Sequence, residues 1–136
     1  VKLLLDTHYV YALGAAWADL STRERQFFET AAATFVVSAV SIWEMRIKWQ
    51  ARHTYGDRKG PVDPALLLRA LEVAELPLLP LEPRHAANTL AVPLEHRDPF
   101  DKVLLTQAQE EGLLLLTRDA ALAAHPLART VAALAA

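Results

Sequence analysis

The stretch Val1 to His8, VKLLLDTH, constrains this chain more than any other: a run of apolar residues that stops on an aspartate. A near-continuous apolar run of this length suits a strand covered on both faces. The carboxylate that ends it then stands at the rim of a sheet, where it must find a cation, a donor or water. The pattern recurs. Phe35 to Ser38 (FVVS) leads through Ala39 to Ile42 into Glu44, and Leu113 to Leu116 (LLLL) leads through Thr117 and Arg118 into Asp119. Between them, HRDPFDK sets Asp98 and Asp101 at the start of a helix. If the apolar runs are neighbouring parallel strands, their acids gather at one edge of one sheet.

Taken in order, Lys2 to Leu5 reads as a central strand, and Thr7 as the cap of a helix over His8 to Trp17. A second helix opens at Leu20-Ser21-Thr22 and runs to Ala33, with Ser21 and Glu24 at the spacing of a capping box. Phe35 to Ser38 is the second strand. A helix from about Ser41 to Arg52 follows, with Ile42, Met45 and Trp49 on one face and Glu44 off that stripe in the first turn. HTYGDRKGPV, residues 53 to 62, has the composition of an exposed loop. Asp63-Pro64 is an N-cap with proline at the first helical position, and that helix is expected to bury Leu67, Ala70, Leu71 and Ala74. Pro77 to Leu81 can be only a short or edge strand, since proline cannot donate to a central ladder. Pro83 to Ala91 is a short helix and Val92 to Arg97 a connection. From Asp98 a helix carries Phe100, Val103, Leu104, Gln107 and Ala108 on one side until Gly112 stops it. The strand Leu113 to Leu116, a short helix from Asp119 and an edge strand Arg129 to Val131 lead to an alanine-rich end. Strands alternating with helices make an α/β sandwich with a mainly parallel sheet. Ligand sites in such sheets lie beyond the carboxyl ends of the strands, where strand order reverses.

A chain of 136 residues, 53% apolar and 22% charged, is one domain able to bury a full core. It has no cysteine, so disulfides and thiolate metal sites are excluded and oxygen and histidine remain as ligands. No apolar run approaches the ~18–20 residues of a membrane span, and the apolar start reads as a core strand, so a cytoplasmic protein without a membrane partner is expected. The net charge of −2 argues at first sight against a nucleic-acid partner. Setting aside Asp6, Glu44, Asp98, Asp101 and Asp119, however, leaves 14 basic against 11 acidic side chains, and a bound cation would shift the local balance the same way.

Each acid has a purely structural explanation. Asp6 can receive the first amides of the next helix. Glu44 stands four residues before Lys48, the spacing of a surface ion pair worth ~0.3–0.5 kcal/mol. Asp98 before Pro99 is an N-cap, Asp101 at the third helical position is favoured by the helix dipole, and Asp119 can cap the helix after it. The joint pattern is harder to explain in this way, since separate segments deliver acids to the same expected edge. Carboxylates within a few ångströms repel, so some protonate, pair or bind a cation. Mg²⁺ or Mn²⁺ would satisfy them with oxygen ligands. Such an ion would supply a chemistry that hydrolyses phosphodiesters without a cysteine or serine nucleophile.

LLLDTH, SAVSIWEM, HRDPFDKVLLTQAQEEG and LLLLTRD, in this order and spacing, resemble the motifs of the PIN-domain ribonucleases, with the nearest likeness to the VapC-type toxins of bacterial toxin–antitoxin pairs. The resemblance covers essentially the whole chain, 1–136, as a single PIN-like domain, and implies a three-layer α/β sandwich. It implies that Asp6, Glu44, Asp101 and Asp119 are catalytic and hold Mg²⁺ or Mn²⁺, with Asp98 a direct ligand, a ligand through water, or only a helix cap. Thr7 and Thr117 are implied to position a ligand or the attacking water. The implied substrate is RNA, with Arg46, Lys48, Arg52, Arg97, Lys102 and Arg118 as candidate phosphate contacts. Arg58 and Lys59 extend that basic set, and Trp43, Trp49, His53 and Tyr55 are candidates to stack on bases. The resemblance further implies a homodimer and a cognate antitoxin that covers or enters the site.

Two other functions compete. A phosphatase or phosphoacceptor domain would carry a second acid two residues beyond Asp6, where His8 stands, or an early acidic pair and a late lysine. A non-catalytic RNA- or protein-binding module would use the acids only as caps and the basic face for contact.

Overall fold

The computed structural model describes residues 1–51, 62–95 and 98–135. In chain order the elements are β1 (Lys2–Leu5), α1 (Thr7–Ala15), one 3-10 turn at Trp17–Asp19, α2 (Thr22–Thr30), β2 (Thr34–Ser38), α3 (Ala39–Gln50) and α4 (Pro64–Val73). There follow β3 (Leu78–Leu79), α5 (Pro83–Ala87), α6 (Pro99–Glu111), β4 (Leu114–Leu116), α7 (Ala120–Ala123), β5 (Ala128–Arg129) and α8 (Val131–Ala135). The strands form one sheet in the order β3-β2-β1-β4-β5, and every described pairing is parallel.

β1 lies at the centre, Leu3 paired in register with Phe35 on one side and Leu114 on the other. Its unbroken leucine run follows from this position. Leu3 and Leu5 point into an apolar cluster with Tyr9 and Val10 of α1, Leu67 and Leu71 of α4, and Val131 of α8. Leu4 points the opposite way, into a cluster with Leu104, Leu105 and Ala108 of α6 and Leu122 of α7. Successive side chains of a strand face opposite sides, so both faces are covered and the molecule is the expected three-layer sandwich. Truncating any of these buried leucines to alanine would cost ~2–5 kcal/mol.

The chain leaves β1 for β2 and then β3 on one side, and returns to place β4 and β5 on the other. Strand order therefore reverses between β1 and β4, which opens a crevice beyond their carboxyl ends. Asp6 follows β1 directly, and its amide donates to the Leu116 carbonyl at 3.0 Å, closing the floor of that crevice.

Local chemistry sets the helix ends. Ser21 and Glu24 form the expected capping box of α2, with Glu24 N donating to Ser21 Oγ at 3.1 Å and Ser21 N to Glu24 Oε1 at 2.9 Å. Asp63 and Asp98 cap α4 and α6, each with proline at the first helical position. Gly112 ends α6 in the left-handed conformation, φ 67°. α4 ends in the same conformation without a glycine. Glu75 has φ 58°, and Leu76 N and Glu75 N reach back to the carbonyls of Leu71 and Glu72, a Schellman pattern. Gly14 lets α1 approach α4, since a Cβ there would collide with Leu67 Cδ1.

Several boundaries differ from the expectations. Asp6, not Thr7, caps α1, because its carboxylate accepts the Thr7 amide at 2.8 Å while Thr7 is already helical. α3 begins at Ala39, capped by Ser38, so Glu44 lies in its second turn and not its first. α2 stops at Thr30 and α5 at Ala87, short of Ala33 and Ala91. In α4 only Leu67 and Leu71 are buried; Ala70 is half-buried and Ala74 exposed. Val131 opens α8 and does not extend β5.

Candidate active site

Asp6, Thr7, His8, Tyr11, Glu44, Met45, Lys48, Asp98, Asp101 and Asp119 line one cleft of about 260 Å³ at the reversal of strand order. β1 delivers Asp6, α3 delivers Glu44, the start of α6 delivers Asp98 and Asp101, and the turn after β4 delivers Asp119. Glu44 and Asp101 are only 6% and 8% exposed, unusual for carboxylates. Two larger hollows of about 510 Å³ lie between α2 and α8 and between α3 and α4, but neither gathers more than one carboxylate among the described residues.

The acids are held by hydroxyls and amides. Thr117, fully buried, donates from Oγ1 to Asp6 Oδ2 at 2.7 Å and accepts the Asp119 amide at 3.1 Å, so one side chain ties two of the acids together. Thr7 Oγ1 lies 2.8 Å from Glu44 Oε1 and 3.0 Å from Ser41 Oγ. Lys48 Nζ reaches Glu44 Oε2 at 2.7 Å; with Lys48 59% exposed and Glu44 buried, the pair bridges the cleft wall and solvent. Asp98 Oδ1 accepts the Phe100 amide and Asp119 Oδ1 the Ala121 amide, each at 2.9 Å.

Burial pushes the Asp6 carboxyl above its ordinary range; the charges of Glu44 and Asp119 push the same way, and the hydrogen bonds from Thr117 and Thr7 oppose them. Like charges that disfavour one another's ionisation in this way are relieved by a cation. The donor set consists of carboxylate oxygens in an open, half-buried cleft, which fits a hard divalent ion such as Mg²⁺ or Mn²⁺. Partial burial lowers the His8 imidazole, as does the nearby Arg118 charge, against the pull of Asp6.

With this geometry in place, the decisive comparison is with protein families: the model of the PIN domain matches residues 3–126. The chain belongs to the PIN-domain family. Curated proteins offer no significant sequence match to it. Among solved structures, this PIN domain resembles a toxin-antitoxin complex from Klebsiella pneumoniae, at 17% identity and TM-score 0.61, over 95% of this chain and 97% of that one. It also resembles VapBC2 from Rickettsia felis bound to a DNA fragment from their promoter, at 13% identity and TM-score 0.60, over 96% and 98% of the two chains. At these identities the likeness concerns the fold.

Of the basic residues expected to touch substrate, Lys48 lines the acid cleft. Arg118 stands beside Asp119 in sequence but pairs with Glu24. Arg46 lines the α3–α4 hollow with Trp43 and Trp49, and Lys102 borders a groove beside α5. Trp43 meets the Phe100 ring edge-on at 5.4 Å. Arg52, Arg97, His53, Tyr55, Arg58 and Lys59 lie outside the described residues.

Sequence reasoning missed Ser41, Tyr11, Met45 and Glu24. Ser41 could have been found, since it precedes Glu44 by three residues and so shares its helix face. Glu24 gave no such signal, its capping role sufficing to account for it.

One compact group of possible ligands lies elsewhere. Among the described residues, only Glu82, His85 and Glu111 bring ligand atoms within 4.8 Å of one another. His85 Nδ1 accepts the Glu82 amide at 3.0 Å, which places the ring proton on Nε2, where it faces Glu111 Oε1 at 3.1 Å. Arg84 bonds both carboxylates. The trio is thus closed by its own tautomer and by the Arg84 cation, whereas the cleft acids are more widely spread.

Proposed function

We propose that this PIN domain is a metal-dependent endoribonuclease, the toxin of a toxin–antitoxin pair, working as a cytoplasmic homodimer restrained by a cognate antitoxin. The observation that carries the reading is the convergence of Asp6, Glu44, Asp101 and Asp119 from separate segments into one cleft at the carboxyl edge of a parallel sheet. Family membership supports nuclease chemistry, and the toxin-antitoxin complexes named for the similar structures support the toxin assignment.

In this reading those four acids hold Mg²⁺ or Mn²⁺, with Asp98 at the same cleft as a fifth carboxylate. When bound, the ion lowers the pKa of water and neutralises charge developing on phosphoryl oxygens. Thr117 holds the Asp6 carboxylate and the backbone of Asp119, and Thr7, itself in contact with Ser41, holds Glu44. Lys48 lies close enough to the acids to meet a phosphate of the RNA, as a point charge on a flexible stem. Arg46, Arg52, Arg97 and Lys102 add sequence-independent attraction to the backbone.

One observation favours the rival reading of a non-catalytic module: Asp6, Asp98 and Asp119 each cap a helix. Capping uses one lone pair of a carboxylate that has about four, so the roles are compatible. The deciding experiment is cleavage of a mixed RNA pool by purified protein with Mg²⁺, Mn²⁺ or chelator, alongside Asp6→Asn and Asp101→Asn. Metal-dependent cuts lost in both variants are expected, by more than about 100-fold, since even partners one bond removed from a metal cost ~10–100-fold. Intact RNA with every metal, from folded wild-type protein that still binds RNA, would establish the module instead.

A further inference from the structure

We infer that Glu24 and Arg118 form a latch that positions Asp119, and with it the acid site, from outside the cleft; the inference rests on the carboxylate site just proposed. Arg118 separates Thr117, which is bonded to Asp6, from Asp119, whose amide is bonded to Thr117. Its guanidinium does not turn toward these acids. Nη2 donates to Glu24 Oε1 at 2.7 Å and Nε to Glu24 Oε2 at 3.2 Å, a bidentate pair across 94 positions of sequence, and the guanidinium carbon lies 5.6 Å from the centre of the Tyr9 ring.

Glu24 spends its whole carboxylate on this arrangement. Oε1 also accepts the Ser21 amide at 2.9 Å, and Oε2 also accepts the Tyr9 hydroxyl. Four donors from α1, the cap of α2 and the turn after β4 thus meet on one side chain. Burial works against its ionisation, yet the bonds from Tyr9, Ser21 and Arg118 together bring Glu24 below the ordinary carboxyl range. Bidentate pairing adds geometric specificity as well as energy, which a single point charge would not.

The arrangement has two consequences for the site. The turn that carries Asp119 is anchored through Thr117 inside the cleft and through Arg118 outside it, leaving Asp119 little freedom to drift from Asp6. The same pairing keeps a permanent cation, one residue from Asp119, off the acids it would otherwise neutralise. Arg118 therefore serves as a positioning residue, and the phosphate contacts fall to other cations.

Glu24→Gln tests this cleanly, because glutamine at this position preserves the capping box while losing the charge and one acceptor that the guanidinium fork needs. Arg118→Lys is the second variant, retaining the charge without the fork. The readouts are ¹⁵N order parameters of the Arg118 and Asp119 amides in metal-free protein, and Mn²⁺ affinity by calorimetry. We expect the order parameters to fall from ~0.85 toward ~0.6 in both variants, with those of Leu4 and Leu115 unchanged, and the Mn²⁺ dissociation constant to rise several-fold. Order parameters matching wild type in both variants overturn the latch. A variant that lowers only thermal stability while Mn²⁺ binds as in wild type overturns its role in the site. Should wild-type protein bind no Mn²⁺, the carboxylate reading falls on its own, and the relaxation data still decide whether the latch holds the turn.

Discussion

Replacing Thr117 with valine removes one hydroxyl and keeps the shape of a fully buried side chain. The lost group donates to Asp6 Oδ2 at 2.7 Å and accepts the Asp119 amide at 3.1 Å. A hydrogen bond to a charged partner contributes ~1.5–3 kcal/mol and a neutral one ~0.5–1.5 kcal/mol. The Asp119 amide lies at an exposed turn where water can replace its partner, and Asp6 borders the open cleft, so the lower part of the charged range applies, about 1.5–2 kcal/mol at pH 7. With unfolding entropy of ~2.1 cal/mol/K per residue, a chain of 136 residues converts that loss into a fall in Tm of about 5–7 °C. The effect carries a pH signature. Asp6 is raised in the folded state, chiefly by burial, so its contribution to stability is complete below the unfolded value near 3.8 and is lost as pH rises through the folded value. The Thr117 bond is the largest influence opposing that rise. Without it Asp6 titrates higher still, and the deficit of the variant opens as pH passes the folded value of Asp6. Denaturant unfolding of wild type and Thr117→Val in chelator, at pH 7 and pH 3, measures both quantities. The difference should shrink at pH 3 toward that of a neutral bond. A difference below ~0.5 kcal/mol at pH 7, or one that does not change with pH, would refute the coupling of Thr117 to an ionised Asp6.

Asp6→Asn retains an effective N-cap for α1 and removes the charge opposed by Glu44 and Asp119. Asparagine offers one acceptor where the carboxylate offers two, to Thr7 and to Thr117, so in chelator the variant's Tm should vary less with pH than that of wild type, while the gain in Tm that wild type shows with Mn²⁺ should be absent; scanning calorimetry with and without the ion reads both. Glu75→Gly relieves a left-handed conformation that costs a residue with a Cβ ~1–2 kcal/mol, partly offset by the greater freedom of glycine in the unfolded chain. A net gain of about 0.5–1 kcal/mol in denaturant unfolding, with RNA cleavage unchanged, is the expected result, and a loss of stability would contradict the Schellman geometry at the end of α4.

The elements, and the edge on which the chemistry sits, were legible in the chain before any folding was considered. The leucine run of β1 could be satisfied only by cover on both faces, Pro77 and Pro80 confined β3 to an edge, and Asp63-Pro64, Asp98-Pro99 and Gly112 marked helix ends through rules that act within a turn. Acids placed after strands, as Asp6, Glu44 and Asp119 are, and one at the start of the helix leading into β4, as Asp101 is, line one cleft. Errors of boundary, such as Thr7 taken for the cap of α1, arose because Asp6 and Thr7 are both capping residues and only the backbone path chooses between them. What the tertiary structure alone decided is which distant group answers which charge. Thr117 reaches Asp6 across 111 positions, Thr7 reaches Glu44 across 37, and Arg118 turns to Glu24 across 94. Local spacing can show that a side chain must be satisfied, but its partner is set by strand register and helix packing, which bring together residues whose separation along the chain carries no signal.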